Sequence, residues 1–283
     1  FPECEKQNIK QIVHLGDYYD HRKFVNFKAL NHNRKCFLNE LRKRGMMMDI
    51  IPGNHDTYYK NTNDLNSLKE LLGHYMNEVH IIMDPTVMEY GSLKMALLPW
   101  INQENYNQSM NFIKDCKADW LGAHLELIGF DMLRGIPNRH GMSPDIFKKF
   151  EQVLTGHFHT ASQKENIWYL GSQMEFFWSD AHDPKFFHIL DTETRKIQKI
   201  QNNYTLFHKI VYNSTKMNYN NYDVSNLDKK FVKIVVVNKG DSFVFDRFVD
   251  RIQNQDIYEL KIAENFSEFV GQNIADEGLE IDD

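Results

Sequence analysis

Residues 50–56 read IIPGNHD, an apolar run that stops at proline and glycine and then sets asparagine, histidine and aspartate side by side. Turn chemistry alone accounts for such residues in a surface loop. At the tip of a buried strand the same side chains are suited to hold a metal ion beside a phosphate. Three other stretches end in the same manner. IVHLGDYYD (12–20), WLGAHLE (120–126) and VLTGHFH (153–159) each carry an apolar run into glycine and then into a metal-competent side chain. Strand C-termini of an open α/β sheet converge on one rim, where ligands bind. Four such loops can therefore deliver Asp17, Asn54, His55, His124, His157 and His159 to one place. In GHFH, the two imidazoles share a side if the segment is extended.

Outward from these loops, apolar spacing predicts a helix over 22–45 stopped by Gly45, and a strand over 46–51. A second helix is expected over 63–75, capped by Asn63 or Asp64. Strands are expected at 79–83, 93–100, 119–124 and 151–156, with a short helix over 143–150. NIWYLG (166–171) follows, then KFFHILD (185–191) and RKIQKI (195–200) joined by the turn DTET. Strands alternating with helices and then hairpins give an α/β class with mixed sheets. The asparagine-rich stretch 213–226 reads as a linker. Beyond it, 230–238, 241–254 and 256–265 form a strand–helix–strand unit. The expected division is a large domain over 1–212, a small one over 213–265, and an acidic tail over 266–283.

The chain has 283 residues, 42% hydrophobic and 25% charged, the composition of a soluble globular protein. No apolar run approaches the ~20 residues that cross a bilayer. Cys4, Cys36 and Cys116 form no C-x-x-C pair and read as reduced thiols of a cytoplasmic protein. A net charge of -6 gives no general attraction to nucleic acid, so any DNA contact is local. Arg22, Lys23, Lys28, Arg34, Lys35, Arg42, Lys43 and Arg44 fall in one segment with a single acid, Glu40. That segment reads either as a solvated helix face or as a contact for DNA phosphates. Met46–Met48 reads as core packing, as do His14 and His188 within strands. Tyr18, Tyr19, Tyr58 and Tyr59 read as packing around the rim. The chain opens on Phe1, and FPECEKQN reads as the tail of a helix.

Carboxylate, carboxamide oxygen and imidazole donors without thiolate suit a hard or borderline divalent ion such as Mn²⁺, with Mg²⁺, Fe²⁺ or Zn²⁺ as alternatives. An aspartate can bridge two ions about 3.5–4 Å apart, an arrangement suited to splitting phosphate esters.

GDYYD, GNHD, GAH and GHFH in this order resemble the calcineurin-like metallophosphoesterases. The resemblance narrows to the Mre11/SbcD nucleases and to the nuclease subunits of T-even phage recombination endonucleases. LIGF after GAHLE, GMSPDIFKKFEQVLTGHFHT, YLGS and DPKFFHILDTET carry it. It covers about residues 9–210 and, loosely, the small domain. The resemblance implies a sandwich of mixed β-sheets flanked by helices, with a small α+β capping domain. It implies that Asp17 bridges two metals, that Asn54, His124 and His157 complete one site, and that His159 serves the other. His55 is then the catalytic histidine, beside the phosphate, and Asp20, Asp56 and Glu126 either brace the metal ligands or support turns. The family's opening Asp-x-His motif has no counterpart here, and the expectation is that its strand lies before Phe1. With that strand two ions are expected, and without it one.

The implied activity is Mn²⁺-dependent hydrolysis of DNA phosphodiesters, exonucleolytic and endonucleolytic, in DNA recombination and repair inside a phage-infected host cytoplasm. The implied partners are DNA, a second copy of the chain and an SbcC/Rad50-like coiled-coil ATPase. The dimer is expected to use the helices at 22–45 and 63–75, with Phe37, Leu38, Leu41, Leu68, Leu71 and Leu72 as apolar surface. Two rivals are a phosphoesterase for small phosphodiesters or phosphoproteins, and a non-catalytic scaffold with an incomplete metal centre.

Overall fold

Alternation of side chains along four strands sorts the larger part of the protein into layers. The structure is a computed structural model that describes residues 1–264. The expected tail over 266–283 lies outside the described residues. In chain order the strands are β1 (Gln11–His14), β2 (Met47–Ile50), β3 (Val79–Ile81), β4 (Thr86–Tyr90), β5 (Leu93–Leu98), β6 (Trp120–His124), β7 (Asp131–Leu133) and β8 (Ile136–Pro137). They continue as β9 (Gln152–Gly156), β10 (Ser162–Lys164), β11 (Ile167–Tyr169), β12 (Lys185–Leu190), β13 (Ile197–Asn202), β14 (Phe207–Asn213), β15 (Phe231–Asn238) and β16 (Glu259–Ala263). The helices are α1 (Pro2–Lys6), α2 (Phe27–Asn33), α3 (Asn39–Arg44), α4 (Ser67–Leu72), α5 (Tyr106–Asp115) and α6 (Ser242–Gln253). A π turn over Arg34–Leu38 joins α2 to α3.

The described chain divides into two compact units, one of residues 1–171 with 188–198 and one of 172–187 with 199–264. In the first, β1, β2 and β3 form a parallel sheet, while β10-β11-β9-β6-β5-β4 form a mixed one. Strands β5, β6, β9 and β11 run parallel, and β4 and β10 are antiparallel edges. Because successive side chains alternate faces, Leu93, Met95 and Leu97 of β5 join Trp120 and Leu154 in a core that includes Val13 and Ile51 from the other sheet. Ala96, Leu98, Leu121 and Val153 face the opposite way, onto Ile113 of α5 and Phe147. On the three-stranded sheet, Met48 and Ile50 turn outward onto Leu38, Leu41, Leu68 and Leu72 of the helices. The result is two sheets face to face with helices on both outer surfaces, and the expected α/β class with mixed sheets stands. A polar tie accompanies the apolar layer between the sheets. The buried Asp49 accepts hydrogen bonds from Tyr90 Oη (2.6 Å) and Gln11 Nε2 (2.8 Å).

Several local expectations are corrected. The first helix begins at Phe27 rather than residue 22, because Asn26 caps it by accepting from Lys28 and Ala29 N–H. The second begins at Ser67, capped by Asn66, and reaches residue 75 through a tight final turn. Asn63 does not cap it but donates to the Trp100 carbonyl and accepts from Asn102 Nδ2. Leu38, Leu41, Leu68 and Leu72 are fully buried against the sheet, while Phe37 and Leu71 remain partly exposed. The large apolar side chains left exposed at the start of this helical segment are Phe24 and Phe27, 67% and 87% exposed. Met46 and Met48 are buried while Met47 between them is exposed, as strand alternation dictates.

In the second unit, β14, β15 and β16 form a parallel sheet, with α6 connecting β15 to β16. Val232, Ile234 and Val236 face Phe245, Phe248 and Ile252 of α6. Within the expected linker over 213–226, Tyr219 and Val224 are buried in this core. Strand β14, which lies before the expected boundary at 212/213 for all but its last residue, belongs to the same sheet. Elsewhere in the unit Lys185 is enclosed and bonds Asp180 (2.9 Å) and Asp183 (3.0 Å), and Asp180 also accepts the N–H groups of Phe176 and Phe177. Removing one partner of a buried pair leaves the other charge uncompensated. Lys185→Met is therefore expected to lower stability by about 3–5 kcal/mol, read from urea unfolding of the protein.

Candidate metal centre

Four loops at strand C-termini of the first unit meet as the sequence predicts. Asp17 follows β1, Asn54 and His55 follow β2, His124 ends β6, and His157 follows β9. The Asn54 Oδ1 atom lies 3.0 Å from His124 Nε2 and 2.9 Å from His157 Nδ1. His124 Nε2 is also 3.1 Å from Asp17 Oδ2. One ligand atom from each of Asp17, His124 and His157 lies within 4.8 Å of the others, the one such His/Cys/Asp/Glu group among the described residues. A carboxylate, a carboxamide oxygen and two imidazoles aimed at one point fit a divalent cation of the Mn²⁺, Fe²⁺ or Zn²⁺ kind. His124 holds its other ring nitrogen, as N–H donor, on the Leu15 carbonyl at 2.7 Å, which sets the tautomer and leaves Nε2 for the centre.

Two of these residues adopt backbone angles that side chains normally avoid, φ +56° at Asp17 and φ +85° at His157. The His157 angle ends the strand, so GHFH is not extended and the shared side expected for His157 and His159 does not follow. His159 is not part of the converging group, although its charge acts on His157. His55 sits beside the centre. Its backbone N–H donates to Asp17 Oδ1 (2.8 Å), and its ring Nδ1–H donates to the Asp20 carbonyl (2.6 Å).

The glycines before the ligands are there for close approach. Gly16 has φ +91°, and a Cβ on it would stand 2.6 Å from His124 Nδ1 and 2.7 Å from the Gly53 backbone. A Cβ on Gly53 would overlap Asp17 Oδ1 and its backbone nitrogen.

Asp56 is fully buried beneath both loops. It accepts N–H groups from Asp17 (2.7 Å), Gly53 (2.9 Å), Tyr18 (3.0 Å) and Tyr19 (3.3 Å), and the Ser67 hydroxyl (3.3 Å). Burial, then the nearby Asp17 carboxylate, pushes Asp56 up to about 6 in spite of these bonds. At Asp17 burial acts upward, but the charge and hydrogen bond of His124, with the charges of His55 and His157, hold the carboxyl below the usual range. Burial acts downward on His124, and Asp17 outweighs it, so this imidazole is raised. His157 is lowered to about 3 by burial and then by the charge of His124, which keeps it neutral as a ligand must be.

One rim residue was missed in the sequence. Trp100 follows β5, and its ring packs 5.8 Å from the His124 ring and 5.4 Å from that of His157. The signal was LKMALLPW, a fifth apolar run reaching the same rim, passed over because proline and tryptophan end it instead of glycine. Tyr18 and Tyr19 bond Asn33 of α2 (2.9 and 3.0 Å) and pack as expected, whereas Tyr58 and Tyr59 are exposed. Glu126 is half-buried with Asn138 Nδ2 at 3.5 Å, and the Asp20 side chain pairs with His21 (3.5 Å). His140 is exposed, its backbone bonded to Asn138.

Fold and donor set thus define an α/β chain with an Asp–Asn–His–His centre on a strand rim. No family model matches the chain. Over 228 residues, 81% of this chain and 66% of the relative, it is 32% identical to exonuclease subunit 1 of Enterobacteria phage T4. The chain is a homologue of that protein, spanning 66% of its length. Among solved structures, an archaeal phosphodiesterase matches at 16% identity with a TM-score of 0.36, covering 71% of this chain and 87% of its own, a likeness too low to bear on the site.

Gly53→Ala is expected to displace the Asp17 carboxylate and weaken metal binding by about 10–100-fold, the usual consequence of disturbing a ligand's support. Isothermal titration with Mn²⁺ checks it, with circular dichroism showing that the fold persists.

Proposed function

We propose that the chain is the nuclease subunit of a phage recombination and repair complex, hydrolysing DNA phosphodiesters with Mn²⁺. The observation that carries this reading is the convergence of Asp17, Asn54, His124 and His157 on one point in a homologue of a T4 exonuclease subunit. A divalent ion held by these residues supplies Lewis acidity toward phosphate oxygens and lowers the pKa of a water. Asp17 orients the centre through His124 and through the His55 backbone. With Nδ1–H anchored on the Asp20 carbonyl, Nε2 of His55 is left for the substrate, and in the protonated ring its N–H can donate to a phosphate oxygen or pass its proton to the leaving oxygen. His159 with Asp17 is proposed to serve a second ion, and Asp17, Asn54, His124 and His157 suffice for the first.

DNA contact is proposed for the basic segment. Arg42 and Arg44 are engaged by Glu78 and by Glu5 and Glu40, whereas Arg22, Lys23, Lys28, Arg34, Lys35 and Lys43 have no ion pair among the described residues. The word subunit in the relative's name supports a partner, proposed to be a coiled-coil ATPase. A homodimer is proposed as well, with Phe24 and Phe27 as candidate contacts.

Cleavage of linear duplex DNA with Mn²⁺, abolished by EDTA and far exceeding turnover of a small phosphodiester, is the expected assay result. Faster turnover of the small ester overturns the nuclease reading.

His55→Ala is expected to bind Mn²⁺ normally and lose about 10²–10⁴-fold in cleavage rate, the usual contribution of a general acid. Asn54→Ala is expected to lose metal itself. Metal content by mass spectrometry on both variants separates the two roles, and the reverse pattern overturns the assignment.

A further inference from the structure

Beside the metal centre lies a cavity of about 450 Å³ that the catalytic assignment leaves without a role. His124 belongs to both, and Trp100 stands against the two ligand imidazoles while also lining the cavity. The volume falls within the ~300–1,000 Å³ of small-molecule sites. Part of its wall comes from the first turn of α5, where Tyr106 is 49% exposed. Met142 adds an apolar surface from the neighbouring loop.

The lining is chemically one-sided. It contains two aromatic rings and several amides but no lysine or arginine, and its one acid is Glu126. A phosphate has nothing to bind there, and Glu126 repels it. A flat, uncharged, hydrogen-bonding group finds what it needs. Trp100 and Tyr106 offer aromatic faces, and Gln103 and Asn107 carry amides with no hydrogen-bond partner among the described residues. The Trp100 backbone is also held in place, since its main-chain N–H donates to the Pro52 carbonyl (2.9 Å) and its carbonyl accepts from Asn63 (2.8 Å) and Asn105 (2.9 Å).

We propose that this cavity is a nucleobase subsite, which takes one unpaired base of the strand whose phosphate lies at the metal centre. The inference rests on the nuclease reading and adds to it the state of the substrate. A base stacked in a duplex cannot enter a side pocket, so the base must leave the stack. Stacking on an aromatic face tolerates any base, so the subsite selects for unpaired nucleotides rather than for sequence. The amides of Gln103 and Asn107 then meet whichever polar edge is presented.

The test uses two probes in EDTA, where no cleavage occurs. One is a short single-stranded oligodeoxynucleotide ending in 2-aminopurine, whose fluorescence is quenched on stacking. The other is a blunt duplex followed by fluorescence anisotropy. The wild-type chain is expected to quench the aminopurine. Tyr106→Ala is expected to weaken the single strand by roughly 5- to 100-fold while leaving the duplex within about twofold, and Tyr106→Phe is expected to restore the wild-type result. Duplex binding with no quenching, or with quenching and affinity unchanged in Tyr106→Ala, overturns the subsite alone. Binding of neither probe overturns the DNA reading and the subsite with it.

Discussion

The carboxylate of Asp56 is the constraint on which the site depends. It is buried, and it accepts four backbone N–H groups drawn from two different loops, those after β1 and β2. Without it those donors would be enclosed with no acceptor, and each such loss costs about 1–3 kcal/mol. With it the turn at Asp17 is held at a left-handed angle, which aspartate tolerates better than most residues. Asp17 returns the brace by accepting the His55 N–H, so the two loops hold each other.

The other half of the centre arrives from the second sheet. His124 and His157 stand at the ends of neighbouring parallel strands, and the backbone carbonyl of Leu15 reaches across to orient His124. The apolar layer between the sheets therefore does more than stabilise the fold. It sets the spacing at which an imidazole from one sheet and a carboxylate from the other come within 3.1 Å. Glycine is required where these backbones cross, because any side chain at residue 53 would occupy the position of the Asp17 carboxylate. The electrostatics follow from the same enclosure. Asp17 stays anionic because imidazoles surround it, and His157 stays neutral because it is enclosed beside another imidazole.

The basic segment shows how the same residue type divides by context. Arg44 lies over the Phe1 ring and pairs with two acids, and Arg42 lies over Tyr75 and pairs with Glu78. Both arginines are structural, while the lysines between residues 22 and 43 keep their charge for solvent or a polyanion. A run of like charge in the sequence therefore overstates the charge available for binding.

Much of this was legible in the residues. Apolar runs that end in glycine and then a donor marked the strand tips, and parallel strands within each sheet bring such tips to one rim, while the meeting of the two sheets' rims is set by their packing. Asp17, Asn54, His124 and His157 could be named as a group on that ground, since each follows a glycine by one or two residues where its apolar run ends. The sequence could not say that His157 turns left-handed, because backbone angle at one residue depends on what encloses it. Nor could it separate Asp56, which braces two loops, from Asp20, whose side chain pairs with its neighbour His21, since both are aspartates in polar turns. The apolar residues of the first helices were read correctly as one face, but what that face covers is the protein's own sheet. Periodicity along a chain specifies which side chains share a surface. Which surface they meet, and which buried donors need an acceptor, is decided only when distant segments are brought into contact.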